Sequence, residues 1–466
     1  MKKNGQYIVY LLCIFTILLI PFAGMTFWPT NETAEKTELA KWPSMKKDGE
    51  WNWGILQDMG TYFEDHFAFR EQLVTANAMV RSNTVGSSAT DRVIVGENGW
   101  LYFNGTLDDY LGKNQMTNRQ LFMAAQNLKI MQKYAIDRGA QFLFVSPVNK
   151  NTLYNENMPS RYHKAEESNL SRLLSLLSEY DVNYVDLEAV FKEQEPILYF
   201  NGDTHWTNEG ALLAYRSIME RFELQHETFL NVPFEERKDH VGDISEMLYP
   251  KAPKKEANQY YSHRYTVVND ITDMMDPWIE TTSAAEENRL LMYRDSFGES
   301  LVPFMADEFG QGYFTRYVPY SFLQVDQYLP THVVVERAER TLRKLTIDIP
   351  IMTGPIVPNI TGGQIQTDTS MTIKKDNDYY LLQGAVDPKQ ITDRTEIYLS
   401  VRNNETNQTV CYQPFYLSKD EEDGAGFQLY LANMQLPKDT HINFMTVEAG
   451  AATIVYSEDL LKNNIK

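Results

Sequence analysis

Apolar and polar positions change their period several times along this chain, and the changes divide it. An uncharged run from Tyr7 to Trp28 follows Lys2 and Lys3, and its 22 residues, at about 1.5 Å each in a helix, match a hydrocarbon core of about 30 Å. Residues 1–28 therefore read as an uncleaved signal anchor, a transmembrane helix with its basic leader inside and everything after Trp28 outside. Secretion after signal cleavage is the alternative, although Ala23-Gly24-Met25 makes a poor cleavage site. Residues 29–50 are polar and broken by Pro29 and Pro43, as in a tether.

From Ile55 to Val80 the apolar positions recur at helical spacing, interrupted by the aromatic and charged cluster Phe63 to Arg70, in which His66 reads first as a packing residue. Val93 to Phe103 reads as a hairpin around Gly96-Glu97-Asn98-Gly99. Thereafter helical and strand-like patterns alternate: helix Thr117 to Arg138, strand Gln141 to Val145, helix Leu170 to Tyr180, strand Val182 to Leu187 and helix Gly210 to Phe222. A strand then leads into Ser296, followed by a helix to Phe309 and a strand from Thr331 to Glu336. Such alternation predicts an α/β domain over residues 51–350, a mostly parallel sheet with helices on both faces. Pro355, Pro358, Gly362 and Gly363 mark a linker over 351–366. Six short alternating runs between Tyr379 and Tyr456 then predict a separate β-sandwich over 367–466.

Composition changes this picture in two ways. A formal net charge of −20 repels phosphate backbones, and no basic block offsets it, so nucleic acid is excluded as a partner. Cys13 and Cys411, the two cysteines, lie in different regions, so no disulfide joins them.

The candidate chemistry sits in two loops. Asp203 and His205, two positions apart on an extended segment, project to one side, so the carboxylate can fix the imidazole's tautomer while the other nitrogen faces a nucleophile. Ser296 in Asp295-Ser296-Phe297-Gly298 supplies that nucleophile at a strand-to-helix turn, where its own N–H and that of Phe297 would be free to donate to an oxyanion. Taken alone, each pattern reads as readily as a helix cap, and Asp203 with His205 as a metal pair, with His240 and Asp243 available as further ligands. The chain nevertheless lacks a His/Cys cluster at ligand spacing, so no metal is expected. Asn149 and Lys150, at the end of the strand Gln141 to Val145, stand where open α/β sheets place ligand loops. Trp206 is a candidate wall of the acceptor groove or a buried prop for its loop.

Several blocks together are more specific than any one of them: Asp65 to Arg70, Val95 to Leu101, Pro147 to Lys150, Phe200 to Ala211, Gly242 to Leu248, Asp295 to Gly298 and Glu336 to Leu342. In this order they resemble the alginate O-acetyltransferase family, related to the DHHW group, whose domain is a circularly permuted SGNH-hydrolase-like fold. The resemblance covers about residues 50 to 345. It implies Ser296 as nucleophile, His205 as base and then acid, and Asp203 as the residue orienting it. Thr204 stands where the DHHW group has its first His, so that residue's role is not carried over. The second oxyanion donor is unassigned, with Arg316 or Asn149 as candidates.

The activity so implied is extracytoplasmic transfer of acetyl, through an acetyl-serine, to a hydroxyl of a cell-surface or secreted polysaccharide. No cofactor is expected at the site. Acetyl would come indirectly from acetyl-CoA through a membrane-embedded acyltransferase of the MBOAT type, beside which the N-terminal helix would hold the enzyme. The same triad with water as acceptor gives a carbohydrate esterase, and a polysaccharide-binding or assembly protein could keep the fold without turnover.

Overall fold

A computed structural model describes residues 2–25, 27, 39–47, 49–284, 287–418 and 424–461. At its centre lies a seven-stranded sheet. In chain order its strands are β1 (Gln141–Val145), β2 (Tyr184–Val185), β3 (Thr266–Val267), β4 (Trp278–Thr282), β5 (Arg289–Tyr293), β6 (Gln311–Thr315) and β7 (His332–Glu336). Their spatial order is β2-β1-β7-β5-β6-β4-β3. The contiguous strands β2, β1, β7, β5 and β6 are mutually parallel, and β4 and β3 add an antiparallel edge.

The sequence explains the central strands. Leu290 to Tyr293 and His332 to Glu336 are buried at every position, as unbroken rather than alternating runs are when both faces of a sheet are covered. Helices Asn118–Ile136, Asn169–Glu179, Asn208–Arg221 and Gly298–Glu308 accompany the sheet. The first is closed by a reciprocal capping box between Thr117 and Gln120. The hairpin at Val93–Val95 and Leu101–Phe103 forms as predicted, its turn carried by left-handed Asn98 and Gly99.

Several expectations are revised. Among the described residues no helix is long and apolar enough to cross a membrane, so the predicted span over Tyr7–Trp28 is not found. Helix Lys2–Gly24 starts with two lysines, contains Pro21 in its last turn and closes short of Trp28; a proline there removes a backbone hydrogen bond. Trp28, and residues 29–38 of the predicted tether, lie outside the described residues. The helical stretch from Ile55 is two helices, Ile55–His66 and Arg70–Val85, broken at the aromatic cluster where Phe69 turns left-handed at φ 64°. The strand predicted over Val182 to Leu187 shrinks to two residues because Asp186 caps helix Leu187–Lys192. A hairpin not predicted, Phe234–Val241 with Lys255–Tyr261, is inserted between the segments that carry His205 and Ser296.

Beyond Pro355 the described residues form two sheets of six and four strands. Phe427 of the smaller stacks on Phe444 of the larger, ring centroids 4.1 Å apart. Two short strands of the larger sheet, Ile356–Val357 and Gly363–Gln364, come from residues read as linker.

Candidate active site

The parallel strands deliver their loops to one end of the sheet. After β5 the chain turns sharply through Arg294, Asp295 and Ser296 into helix Gly298–Glu308. Asp295 fixes this turn. Its Oδ1 accepts from Phe297 N (2.9 Å), its Oδ2 from Ala338 N (2.8 Å), and its own N–H donates to Glu336 Oε2 (3.0 Å). Glu336 is fully buried, and burial first, then the neighbouring Asp295, pushes its carboxyl well above the usual range. The turn has no room for a side chain at Gly298, where a Cβ would lie 2.7 Å from Arg294 Cδ and 3.0 Å from Glu336 Oε2.

The loop before helix Asn208–Arg221 brings His205 to Ser296. His205 Nε2 lies 2.8 Å from Ser296 Oγ, and His205 Nδ1 lies 2.7 Å from Asp203 Oδ1, which also accepts from His205 N at 2.9 Å. Burial opposes charge on the imidazole, but the Asp203 hydrogen bond and charge outweigh it and hold His205 above the ordinary imidazole range. Burial likewise opposes ionisation of Asp203, yet hydrogen bonds from His205 and His240 hold its carboxyl well below the usual carboxylate range.

His240 is the member sequence reasoning did not assign to this role. Its Nε2 lies 2.8 Å from Asp203 Oδ2, and its ring stacks on Phe200 at 3.8 Å and 10°. It reaches Asp203 from the unpredicted hairpin, so no local pattern connects the two. Asp243 adds a further brace: it accepts from Thr204 N and Thr204 Oγ1, both at 2.8 Å, and burial followed by repulsion from Asp203 raises its pKa. Ligand atoms of Asp203, His205 and Asp243 lie within 4.8 Å of one another, and all three residues are already engaged in the hydrogen bonds just given.

The other predicted site residues fall in different places. Trp206 borders the cleft but is 1% exposed, donating to Ser300 Oγ (2.8 Å) and Phe297 O (3.2 Å), so it props the loop against the nucleophile's helix. Lys150 is not a wall residue. It is buried behind the catalytic loop, where Nζ donates to the carbonyls of Phe200 (3.0 Å), Asn201 (3.0 Å) and Asp203 (2.6 Å), and burial brings its pKa down to about 8. Asn149 is buried beside it, its N–H donating to Glu339 Oε2, and it does not line the cleft. Arg316 is turned away, donating to Met275 O at 2.8 Å. Phe297 N–H is engaged by Asp295 and so is not free for an oxyanion; the Ser296 N–H has no partner among the described hydrogen bonds. Arg340, whose guanidinium lies over the Phe297 ring at 5.2 Å, puts a positive charge close enough to disfavour protonation of His205.

Above these groups opens a cleft of about 610 Å³, lined by Tyr260, Tyr261, His263, Met274, Glu299 and Phe304 among others. A nucleophile, a base within hydrogen-bond reach and a carboxylate behind the base are the parts of an acyl-transfer site.

Residues 93–277 match the family model described as SGNH hydrolase-like domain, acetyltransferase AlgX; the match stops short of Ser296. The comparison with curated proteins returns no match. Among solved structures, Bacillus cereus PatB1 is 19% identical with a TM-score of 0.46, covering 54% of this chain and 96% of its own. The O-acetyltransferase domain of Pseudomonas putida AlgJ is 17% identical (TM-score 0.37; 54% and 92% covered). Pseudomonas aeruginosa AlgX is 13% identical (TM-score 0.36; 76% and 94% covered).

Proposed function

We propose, on the premise that this chain belongs with the AlgX/AlgJ-type O-acetyltransferases, that it moves an acetyl group through Ser296 to a hydroxyl of a polysaccharide outside the cytoplasm. The observation that carries this reading is the 2.8 Å contact between His205 Nε2 and Ser296 Oγ, with Asp203 behind the imidazole.

In the first half-reaction Ser296 Oγ attacks the acetyl carbonyl carbon and its proton passes to His205 Nε2. Asp203 Oδ1 accepts from Nδ1–H and stabilises the imidazolium so formed. As the tetrahedral intermediate collapses, the bond to the donor oxygen breaks, and that oxygen leaves with the proton from His205. In the second half the acceptor hydroxyl gives its proton to His205 while its oxygen attacks acetyl-Ser296, and Ser296 leaves reprotonated. The Ser296 N–H, which has no partner among the described hydrogen bonds, is the donor offered to the oxyanion in both steps. The acetyl donor would be loaded from acetyl-CoA by a membrane-embedded acyltransferase of the MBOAT type, which leaves this chain the transfer step alone.

The test is single-turnover reaction with an activated acetyl ester followed by peptide mass spectrometry. An acetyl group on the Ser296 peptide, absent from Ser296→Ala, is expected. Ester turnover by the intact protein with label on another residue would remove Ser296 from the mechanism. Free acetate with no acetylated sugar, whatever oligosaccharide is added, would replace transfer by hydrolysis.

A further inference from the structure

We infer that His263 forms an acceptor subsite about 12 Å from Ser296, where its Nε2 takes a hydrogen bond from a hydroxyl on a ring farther along the glycan than the one being acetylated; the inference rests on the transferase reading above. The nucleophile's own helix measures the distance. Ser296, Glu299, Ser300, Pro303 and Phe304 all line the cleft, and this spacing places them on one face of helix Gly298–Glu308 and of the turn that enters it. The cleft therefore runs along the helix from Ser296 to Phe304, about 12 Å at about 1.5 Å per residue. One sugar ring does not span that length, so a ring whose hydroxyl reaches acetyl-Ser296 leaves the far end to its neighbours in the chain.

At the far end stands another imidazole with a carboxylate behind it. Asp307, one turn beyond Phe304 on the same helix, is 1% exposed. Its Oδ2 accepts from His263 Nδ1 at 3.0 Å, and its Oδ1 from the N–H groups of Arg264 (2.6 Å) and Tyr265 (2.9 Å). Burial opposes ionisation of this carboxyl, but those hydrogen bonds outweigh it and hold it below the usual carboxylate range. The imidazole also meets the Phe304 ring edge to face at 5.1 Å, which with the Asp307 bond holds its orientation. The two backbone N–H groups already pin the turn after strand Lys255–Tyr261 to Asp307, so the imidazole is not needed to close it. With Nδ1–H given to Asp307, Nε2 is the nitrogen left over. It has no partner among the described hydrogen bonds, and His263 lines the cleft with 19% of its side chain exposed.

A neutral imidazole held this way presents a lone pair to the cleft, and a sugar hydroxyl is a donor that can fill it. Tyr260 and Tyr261 line the same stretch, the Tyr261 ring 5.6 Å from that of Phe304, and aromatic faces suit the C–H face of a pyranose ring. A cleft of about 610 Å³ is large enough for a ligand of more than one ring. The imidazoles of His205 and His263 thus divide the work. His205 moves protons at Ser296, and His263, too far along the helix to reach them, holds the rest of the chain in register. Its contribution must therefore depend on the length of the acceptor.

The experiment measures binding of N-acetylglucosamine and mannuronate monomers, dimers and tetramers to Ser296→Ala, alone and combined with His263→Ala or His263→Gln. The full chain with Ser296 intact, and the same His263 variants of it, are then given an activated acetyl ester and these acceptors. In at least one series the tetramer is expected to bind about tenfold or more better than the monomer, and His263→Ala to remove that gain. In turnover, His263→Ala should raise KM for the tetramer about tenfold while kcat stays within about twofold. His263→Gln, whose amide reaches the position of Nε2, should restore part of the loss. If both variants lose acetylation of Ser296 by the ester alone, His263 is a structural residue and the inference is overturned. It is equally overturned if tetramer and monomer lose affinity alike, or if no oligomer of either series binds better than its monomer. A length gain that His263→Ala removes, with free acetate as the sole product of the active protein, upholds the subsite and sinks the transferase reading.

Discussion

Asp203 has two histidines to satisfy, and this sharing determines how the base should titrate. Because Asp203 raises the His205 pKa against the effect of burial, the neutral imidazole needed to deprotonate Ser296 accumulates only above the ordinary imidazole range. Acylation by an acetyl ester should therefore rise with pH along a limb displaced upward from about 6.5. In Asp203→Asn the raising partner is gone and burial remains, so the limb should move to lower pH while kcat falls by about 10³–10⁴-fold. A limb that does not move would break the link between Asp203 and the base. His240 acts in the opposite sense. Removing its hydrogen bond to Asp203 Oδ2 leaves the carboxylate more available to His205, so His240→Ala should move the limb upward and lower kcat by about tenfold through lost positioning. A merely structural role would lower activity without the shift. At this scale Ser296, His205 and Asp203 were legible because two of them are neighbours in sequence and the third ends an apolar run. His240 was not, since only the folded hairpin brings it across 37 residues to Asp203.

At the level of elements, the loop that carries Asp203 and His205 is clamped by three segments, two through side chains and one at backbone distance. Lys150 grips it from the end of β1, and Glu256 from the hairpin accepts from Asn201 N (2.6 Å) and Gly202 N (2.7 Å). The start of helix Asp243–Leu248 meets it edge on, with Ser245 N donating to Gly202 O at 2.7 Å. Gly242 makes that crossing, since a Cβ there would lie 2.3 Å from Gly202 O and 2.8 Å from Asp203 N. Gly242→Ala must push the loops apart, and a loss of about 1–3 kcal/mol in denaturant stability is expected, with slower acylation. Lys150→Met keeps the volume but takes the donor from the buried carbonyls of Phe200 and Asp203, Asn201 O keeping Leu101 N at 2.9 Å, and should cost about 2–4 kcal/mol on the same measurement. Wild-type stability in Lys150→Met would show that water takes over those carbonyls. Long buried strands and capped helices were readable because period and caps agree, as at β5 and at Thr117. β3, β4 and β6 were not: β3 is two residues long, β6 contains Gly312, and β4 is only partly buried at the antiparallel edge, so their place is set by neighbours in the sheet.

Across the whole molecule, the C-terminal sheets are joined to the α/β domain by buried polar bonds, which the sequence could not reveal because each partner lies hundreds of residues away. Asn127, fully buried in helix Asn118–Ile136, donates to Leu345 O and Tyr416 O and accepts from Tyr416 N, each at 2.9 Å. Arg119 on the same helix donates to Gly424 O (2.9 Å) and Thr395 O (2.6 Å), and its guanidinium lies 5.3 Å from the Tyr416 ring centroid. Phe122 meets Tyr416 edge to face at 5.7 Å, so apolar packing runs through the junction without a break. Deleting residues 367–466 would uncover this face and leave Asn127 with one of its three partners, and unpaired buried amides are expensive. A freely separable accessory module would unfold in its own transition; a welded one would not. The full chain should therefore show a single cooperative transition by calorimetry, and the truncated protein should aggregate or melt well below it, losing acetyl-ester turnover as it does. Asn127→Ala offers a milder form of the same test, with an expected cost of about 2–3 kcal/mol, and because it leaves the triad untouched its turnover at low temperature should stay near that of the intact chain. Two separate melting transitions in the full chain, or a truncated protein with unchanged stability and turnover, would show that the two parts fold independently despite these contacts.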